Sequence, residues 1–301
     1  MFRVNMPNKI FQSRALKEVK RKIVDAVSEP GGILAIIGEV GIGKTIATID
    51  GLGSFEDVGN NVIWCRQLDK ENLKIGVIVS SIIRHFNELP RKDIDARTEQ
   101  VRRLLGQSYS NDKKTIMVID EAHALHYQTL RALKRLLELN FGNQIGLLSI
   151  VMVAPPALYE KLNQVEEISL RTDILEMRGL TNEEAKEYLS FVLNWNRIKL
   201  ENDVIDYLSQ QNHNPLKLVI AVNKIDEIQK RLGSTLPLAK LKSQFLSPLR
   251  QKIEESGLSQ RQLAQKANIS ATTLNQVLQG NYPGNTQKII KDVEKALVEV
   301  Q

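Results

Sequence analysis

The sequence predicts an α/β protein: a parallel, doubly wound sheet, then a helical region, then a small all-α tail. Three observations carry this expectation. Short apolar strands alternate with helical stretches over residues 1–180. One of those strands runs directly into a Gly-rich turn, "ILAIIGEVGIGKT". From "TNEEAKEYLSFVL" onward the pattern is helical to the last residue.

The elements follow in order. Residues 11–28, "FQSRALKEVKRKIVDAVS", have helical apolar spacing at Leu16, Val19, Ile23 and Val27. After the strand and Gly-rich turn, a helix is expected to open at about Lys44. "NVIWCRQL" reads as a second strand, and residues 71–89 and 93–106 read as helices. "KTIMVIDEAH" is a buried strand ending in acids. "ALHYQTLRALKRLLELNF" reads as an amphipathic helix with Leu130, Leu133, Leu136 and Leu137 on or near one face. "IGLLSIVMVAPP" is a strand stopped by Pro155 and Pro156, and "ISLRTDILEMRGL" holds another. Thr181, with Glu184 three residues on, makes a capping box that starts the helical region. "LGSTLPLAK" carries Gly, Ser and Pro and marks a linker. The expected divisions are a core at 1–180, a helical region at 181–232, a linker at 233–240 and a tail domain at 241–301.

Composition narrows the class. The chain of 301 residues is 42% hydrophobic and 25% charged, as in ordinary globular proteins. No apolar run approaches the roughly 20 residues of a membrane span, and the first residues lack a signal-peptide core. The expected place is the cytoplasm, with no membrane partner. The single cysteine, Cys65, excludes an internal disulfide framework, and its apolar neighbours predict burial. The net charge of +6 is uneven: residues 240–301 carry nine Lys/Arg against five Asp/Glu, the rest 32 against 30. The basic tail suits a polyanion, although a solvated basic face has the same composition.

Gly38 to Thr45, "GEVGIGKT", matches G-x-x-x-x-G-K-[ST] behind an apolar strand. Glycines let such a backbone curl until several N–H groups face phosphate oxygens, and the next helix adds its positive end. The nucleotide-contacting set is therefore Gly38, Glu39, Val40, Gly41, Ile42, Gly43, Lys44, Thr45 and the adjoining Ile46. Lys44 is expected on the β- and γ-phosphates of ATP, and Thr45 on Mg²⁺. The acids that complete such a site belong at the end of another buried strand. Asp120 is expected to hold the Mg²⁺ shell and Glu121 to activate the attacking water as general base. His123 completes a "DEAH" tetrad, but the second core domain of a helicase is not found. His123 and His126 are expected three apart on a helix, with no further metal ligands nearby, which disfavours zinc; contact with a γ-phosphate-sensing network is the remaining functional reading for His123.

From Phe11 to Leu232 these residues resemble an AAA+ ATPase, with residues after 180 in the place of its lid. Within that class "IDEAHALHYQTLRALKRLLE", and "LVIAVNKID" after "NPLK", resemble the branch of TnsC-type transposon ATPases, the phage Mu B transposition protein and the ExeA-like ATPases. The resemblance implies ATP-dependent oligomers, as rings or filaments on double-stranded DNA, and a transposase partner. It implies an arginine finger, for which Arg171 is the best match and Arg178 the second; an ordinary surface ion pair is the other reading of Arg171. Sensor 2 falls on Lys217, which keeps the charge of the usual arginine without its fork. The polar sensor 1 expected after "SIVMV" is replaced by Ala154, Pro155 and Pro156, which points to a slow switch rather than a fast motor.

"SQRQLAQKANISATTLNQVLQG" reads as two helices about a tight corner. Leu258, Leu263 and Ala264 pack the first and Ile269 and Leu274 the second, with Asn268 at the corner and Gly280 as a stop. Ser270, Thr272, Thr273, Asn275, Gln276 and Gln279 are short polar groups suited to base edges or phosphates, with Arg261 and Lys266 placed for the backbone. A plain helical interaction module is the competing reading. The stretch resembles the helix-turn-helix of lambda-repressor-like proteins and the small domain of Mu B, which is N-terminal there. In the core, Arg97, Arg102, Arg103, Lys113 and Lys114 are candidates to line a filament channel, or equally form a solvated face. The resulting expectation is an AAA+ ATPase that oligomerises on duplex DNA and regulates transposition. The alternatives are a nucleotide-sensing regulator or repressor and a helicase-loader-like ATPase.

Overall fold

Seven strands lie among the described residues: β1 (Ile33–Ile37), β2 (Asn61–Trp64), β3 (Thr115–Asp120), β4 (Asn140–Phe141), β5 (Gln144–Ile145), β6 (Ser149–Ala154) and β7 (Thr172–Glu176). Five form one sheet in the order β2-β3-β6-β1-β7, and every pairing in it is parallel. The structure is a computed structural model that describes residues 9–28, 31–65, 73–232, 248–279, 282 and 284–298. The chain divides into two units, residues 1–197 with 208–222, and residues 198–207 with 223–301.

The first unit surrounds the sheet. Its helices are α1 (Arg14–Ser28), α2 (Lys44–Asp57), α3 (Ile75–His85), α4 (Ile94–Ser110), α5 (Tyr127–Leu137), α6 (Leu158–Asn163), α7 (Glu166–Ser169) and α8 (Asn182–Asn196). β1 and β6 are buried along their whole length because helices cover both faces. The two-residue period of a strand sorts the side chains. Ile33, Ala35 and Ile37 join Met117, Ile119, Ile150 and Met152 under residues of α3, α4 and α5. Leu34 and Ile36 join Ile116, Val118, Val151 and Val153 under Leu16, Val19, Ile23, Ala47 and Leu52 of α1 and α2. Each such buried side chain contributes about 1.5–3 kcal/mol relative to exposure. Register brings the ends together: Ile36 is level with Val153, and Val153 with Asp120. The turn after β1 and the acid of β3 thus leave the sheet at one edge.

The capping box at Thr181 is present, and Glu184 has a second task. One carboxylate oxygen accepts from Thr181 N at 3.0 Å, and the other accepts from Arg14 N at 2.7 Å. One side chain therefore serves the N-termini of α8 and α1. Phe11 packs beside it, edge-on to Tyr188 with centroids 5.4 Å apart. Burial pushes the Tyr188 phenol up to about 12.

The chain continues as α9 (Asn202–Gln211) and α10 (Pro215–Leu232). The second unit contains the tail helices α11 (Pro248–Glu255), α12 (Gln260–Lys266), α13 (Ala271–Gln279) and α14 (Thr286–Val298). They enclose a separate core of Leu249, Ile253, Leu263, Ala264, Ala267, Leu274, Val293, Ala296 and Leu297. Leu258 and Ile269 pack against it partly buried. Asn268 takes the left-handed corner at φ 54°. The linker expected at 233–240 and Gly280 lie outside the described residues.

Several expected elements end elsewhere. The helix expected over 71–89 spans Ile75–His85, and the one expected over 93–106 extends to Ser110 behind an Asp93 cap. The amphipathic helix does not run from Ala124 to Phe141. Residues 122–124 form a separate 3₁₀ turn, α5 covers Tyr127–Leu137, and Asn140–Phe141 pairs antiparallel with Gln144–Ile145. Gly142, at φ 59°, turns this hairpin. Phe141 lies against Gly106, where an added Cβ would meet its ring at 2.2 Å. β6 accordingly starts at Ser149, later than the strand expected from Ile145. His126 precedes α5 and His123 sits in the 3₁₀ turn, so the two do not share a helix.

Candidate active site

The turn after β1 is shaped by three glycines. A Cβ on Gly38 would stand 2.4 Å from Met177 O, so backbone contact excludes any larger residue without movement. Gly41 and Gly43 have φ of 85° and 97°, which glycine adopts at little cost. Gly43 then starts α2, with Ala47 N donating to Gly43 O at 2.9 Å. Ile42 is buried, while Glu39, Val40 and Ile46 are exposed around the turn.

Lys44 is the first residue of α2 and is buried, 9% exposed. Its Nζ donates to Gly38 O and Glu39 O, each at 2.8 Å, so the ammonium sits in the mouth of the turn. Burial lowers its pKa; the negative charges of Glu121 and Asp120 act the other way. Thr45 Oγ1 donates to Asp120 Oδ2 at 3.1 Å, joining residues 75 positions apart. A hydroxyl and a carboxylate oxygen side by side suit a hard cation that keeps most of its water, as Mg²⁺ does. Asp120 Oδ1 accepts from Glu121 N at 2.9 Å, which fixes the carboxylate. Glu121 has φ 58° and ψ 39°, a left-handed conformation uncommon for a residue with a Cβ. The Glu121 side chain is 46% exposed, and its Oε2 lies 3.2 Å from His123 Nδ1. Among the described residues no group of three His, Cys, Asp or Glu is placed to hold a metal.

One residue without an assigned role from the sequence closes the turn. Asn214 is 5% exposed and precedes Pro215, the first residue of α10. Its Nδ2 donates to Val40 O at 2.8 Å and its Oδ1 accepts from Leu216 N at 3.0 Å, while Leu216 N also donates to Gly41 O at 3.2 Å. The signal was present in "NPLK": Asn caps helices and Pro favours the first helical position. Lys217 lies in the first turn of α10 with its side chain exposed.

Other expected residues lie apart from this edge. Arg171 O accepts from Ile33 N at the opposite end of β1, and its guanidinium donates to Glu138 at 2.8 Å. Arg178 is 84% exposed and 3.7 Å from Glu176, at the end of β7 that is level with Ile37. β6 ends in buried Ala154, whose carbonyl accepts from Gly38 N at 3.2 Å, so no polar side chain ends that strand. Arg102 pairs with Glu99 at 3.1 Å. Arg103 clamps both oxygens of Glu88 at 2.6 and 2.7 Å. Arg97 donates to the carbonyls of Arg91 and Lys92. Arg103 and Arg97 thus brace the turn between α3 and α4, while the Arg102 pair lies within α4.

In the tail, Arg261, Lys266, Ser270, Thr272 and Asn275 are exposed, and Thr273 and Gln276 partly so. Ser270 Oγ accepts from Thr273 N at 2.9 Å and lies 2.8 Å from Thr273 Oγ1. Both hydroxyls are therefore engaged in capping α13.

Residues 27–162 match a family model described as an AAA domain, and residues 249–297 one described as helix-turn-helix. No curated protein matches the chain. Among solved structures, the ORC2 protein of Aeropyrum pernix in its ADPNP–ADP complexes is 14% identical, with a TM-score of 0.61, over 99% of this chain and 96% of its own. Cdc6p from Pyrobaculum aerophilum is 13% identical, with a TM-score of 0.57, over 97% and 83%. The Aeropyrum pernix ORC1 protein in complex with DNA is 17% identical, with a TM-score of 0.54, over 96% and 78%. At such identities the likeness concerns the fold: a P-loop AAA+ core with a parallel sheet and helical lid, followed by a small helix-turn-helix domain.

Proposed function

We propose that this chain is an ATP-hydrolysing, DNA-binding switch that assembles on duplex DNA and regulates transposition. The observation that carries the ATPase part is the bond from Thr45 Oγ1 to Asp120 Oδ2, 3.1 Å, beside buried Lys44. It joins two motifs distant in the chain at one edge of the sheet. The loop's N–H groups and Lys44 bind the phosphates. Thr45 and Asp120 hold Mg²⁺, which neutralises phosphate charge. Glu121 accepts a proton from the water that attacks the γ-phosphorus as the bond to ADP breaks. DNA binding rests on the tail matched as helix-turn-helix, with exposed Arg261, Lys266 and Thr272. Assembly, with Arg171 reaching a neighbour's site, and the transposase partner rest on the resemblance to TnsC and Mu B. Oligomer size on duplex DNA, measured with ATP, with ADP and with neither, tests the switch. ATP is expected to enlarge the complexes, and equal sizes in all three conditions would sink the reading. DNA affinity is expected to fall with salt, by roughly 0.9 in log K per log salt for each phosphate neutralised.

Ala154 favours a second reading, a nucleotide-sensing repressor with negligible turnover, because no polar side chain stands where that strand meets Gly38. A footprint confined to one operator, together with absent DNA-stimulated hydrolysis, would select it.

A further inference from the structure

The turn after β3 pairs Glu121 with His123, a residue that the phosphate chemistry leaves without a role. Glu121 holds left-handed backbone. A residue with a Cβ persists there only where its surroundings over-determine it. Two bonds do so: Glu121 N donates to Asp120 Oδ1, and Ala124 N donates to Glu121 O, each at 2.9 Å. The resulting 3₁₀ turn brings residue 123 back beside residue 121. His123 Nδ1 lies 3.2 Å from Glu121 Oε2, within ion-pair range. That nitrogen is shut off from solvent and is out of line for a hydrogen bond, although the side chain as a whole is 33% exposed. A buried polar atom without a partner is costly. The carboxylate oxygen is within reach of a small side-chain rotation.

We propose that His123 is a positioning residue for Glu121, donating Nδ1–H to Oε2 and leaving Oε1 to accept from the attacking water. The inference rests on the reading of Glu121 as general base. A carboxylate that is half exposed has room for several rotamers, whereas the reaction needs the one that aims an oxygen at the water. Anchoring one oxygen selects among them, as the third member of a catalytic triad orients its base. In the hydrolytic step the water oxygen bonds to the γ-phosphorus and the P–O bond to ADP breaks. The water proton passes to Glu121 Oε1, and His123 keeps its own proton throughout. A neutral imidazole suits this task, because it orients the carboxylate without cancelling the charge that makes it basic.

The test compares the full-length parent with His123→Ala, His123→Asn and Glu121→Ala. Each is assayed for single-turnover hydrolysis, binding of a fluorescent ATP analogue and thermal midpoint. Heteronuclear NMR of the imidazole nitrogens, without nucleotide, adds a readout independent of activity. In the parent the His123 ring is expected in the Nδ1–H tautomer, and in Glu121→Ala in the Nε2–H form usual for a free imidazole. His123→Ala is expected to slow hydrolysis by about 10- to 100-fold, the range seen when an orienting partner is removed, with unchanged ATP affinity and midpoint. Asn places an amide N–H where Nδ1 stood, so His123→Asn is expected to recover most of the rate. Equal loss in the Ala and Asn variants, or an Nε2–H tautomer in the parent, would overturn the proposal. Parental turnover in His123→Ala with turnover lost in Glu121→Ala would remove the positioning role and leave Glu121 as base. Parental turnover in Glu121→Ala would remove both.

Discussion

The C-terminal edge of the sheet and the tail stretch from Ser259 to Gln279 are built from opposite materials. At the edge, Gly41, Gly43 and Glu121 all have positive φ, and the ammonium of Lys44 is buried. Between Ser259 and Gln279 the described backbone turns left-handed only at Asn268, and the cluster beneath it is apolar. The edge spends stability on preorganised backbone and charge, which act only when a ligand arrives. The tail spends its polar groups on its own helix ends: Ser259 with Gln262, and Ser270 with Thr273. Substitution should therefore separate ligand binding from stability at the edge and confound them at the capping residues of the tail.

The largest effect is expected in the tail core. Leu274 is fully buried, and Leu274→Ala is expected to destabilise the tail by about 2–5 kcal/mol. Denaturant unfolding followed by circular dichroism measures it. A change below about 1 kcal/mol would mean that the helices repack around the gap and that the tail core is soft.

Lys44→Ala should do the reverse. The loss of a charged hydrogen-bond donor is worth about 1.5–3 kcal/mol of nucleotide affinity, roughly 10- to 100-fold. Stability should hold or rise, because burial already disfavours the ammonium. Calorimetric titration with ATP and a thermal melt of the apo protein decide this together. A lower melting midpoint with intact affinity would make Lys44 an anchor for Gly38 O and Glu39 O rather than a phosphate ligand.

The edge and the tail also differ in how much of each could be read before folding. The turn after β1 is legible because its determinants are local: a strand, glycines that permit positive φ, and a helix start at Lys44. The tail corner is legible for the same reason, since Asn268 tolerates left-handed backbone. Asn214 had no role assigned, because its partner Val40 O is 174 residues away. The hairpin at residues 140–145 was hidden by a leucine pattern that runs past α5, while Gly142 and the packing of Phe141 on Gly106 decide against helix. The left-handed Glu121 carries no signature, because glutamate is not a residue type that favours positive φ and the bonds that hold it use its own backbone N–H and C=O.

Asn214→Ala falls between the edge and tail extremes. It removes three side-chain bonds, to Val40 O and from Leu216 N and Lys217 N, the first two worth about 1 kcal/mol each and the last, at 3.4 Å, less. Hydrogen exchange at the amides of residues 39–43 is expected to quicken. Unchanged exchange would show that the glycines alone hold the turn.

The smallest effect tests the tail most finely. Ser270→Ala removes the Oγ that accepts from Thr273 N at 2.9 Å, and losing such a cap costs about 1 kcal/mol. Thr272 is exposed beside it, and Thr272→Ala should stay within about 0.5 kcal/mol. If α13 lies against DNA, the ranking inverts for binding. Thr272→Ala then weakens DNA affinity at unchanged stability. Ser270→Ala weakens it only as far as the helix end frays, and lower temperature restores it. Fluorescence anisotropy on duplex DNA at two temperatures separates the cases. Should Thr272→Ala leave affinity untouched while Ser270→Ala lowers it at both temperatures, the surface that meets DNA would lie at the cap, and the face of α13 that carries Thr272 would be free for a different partner.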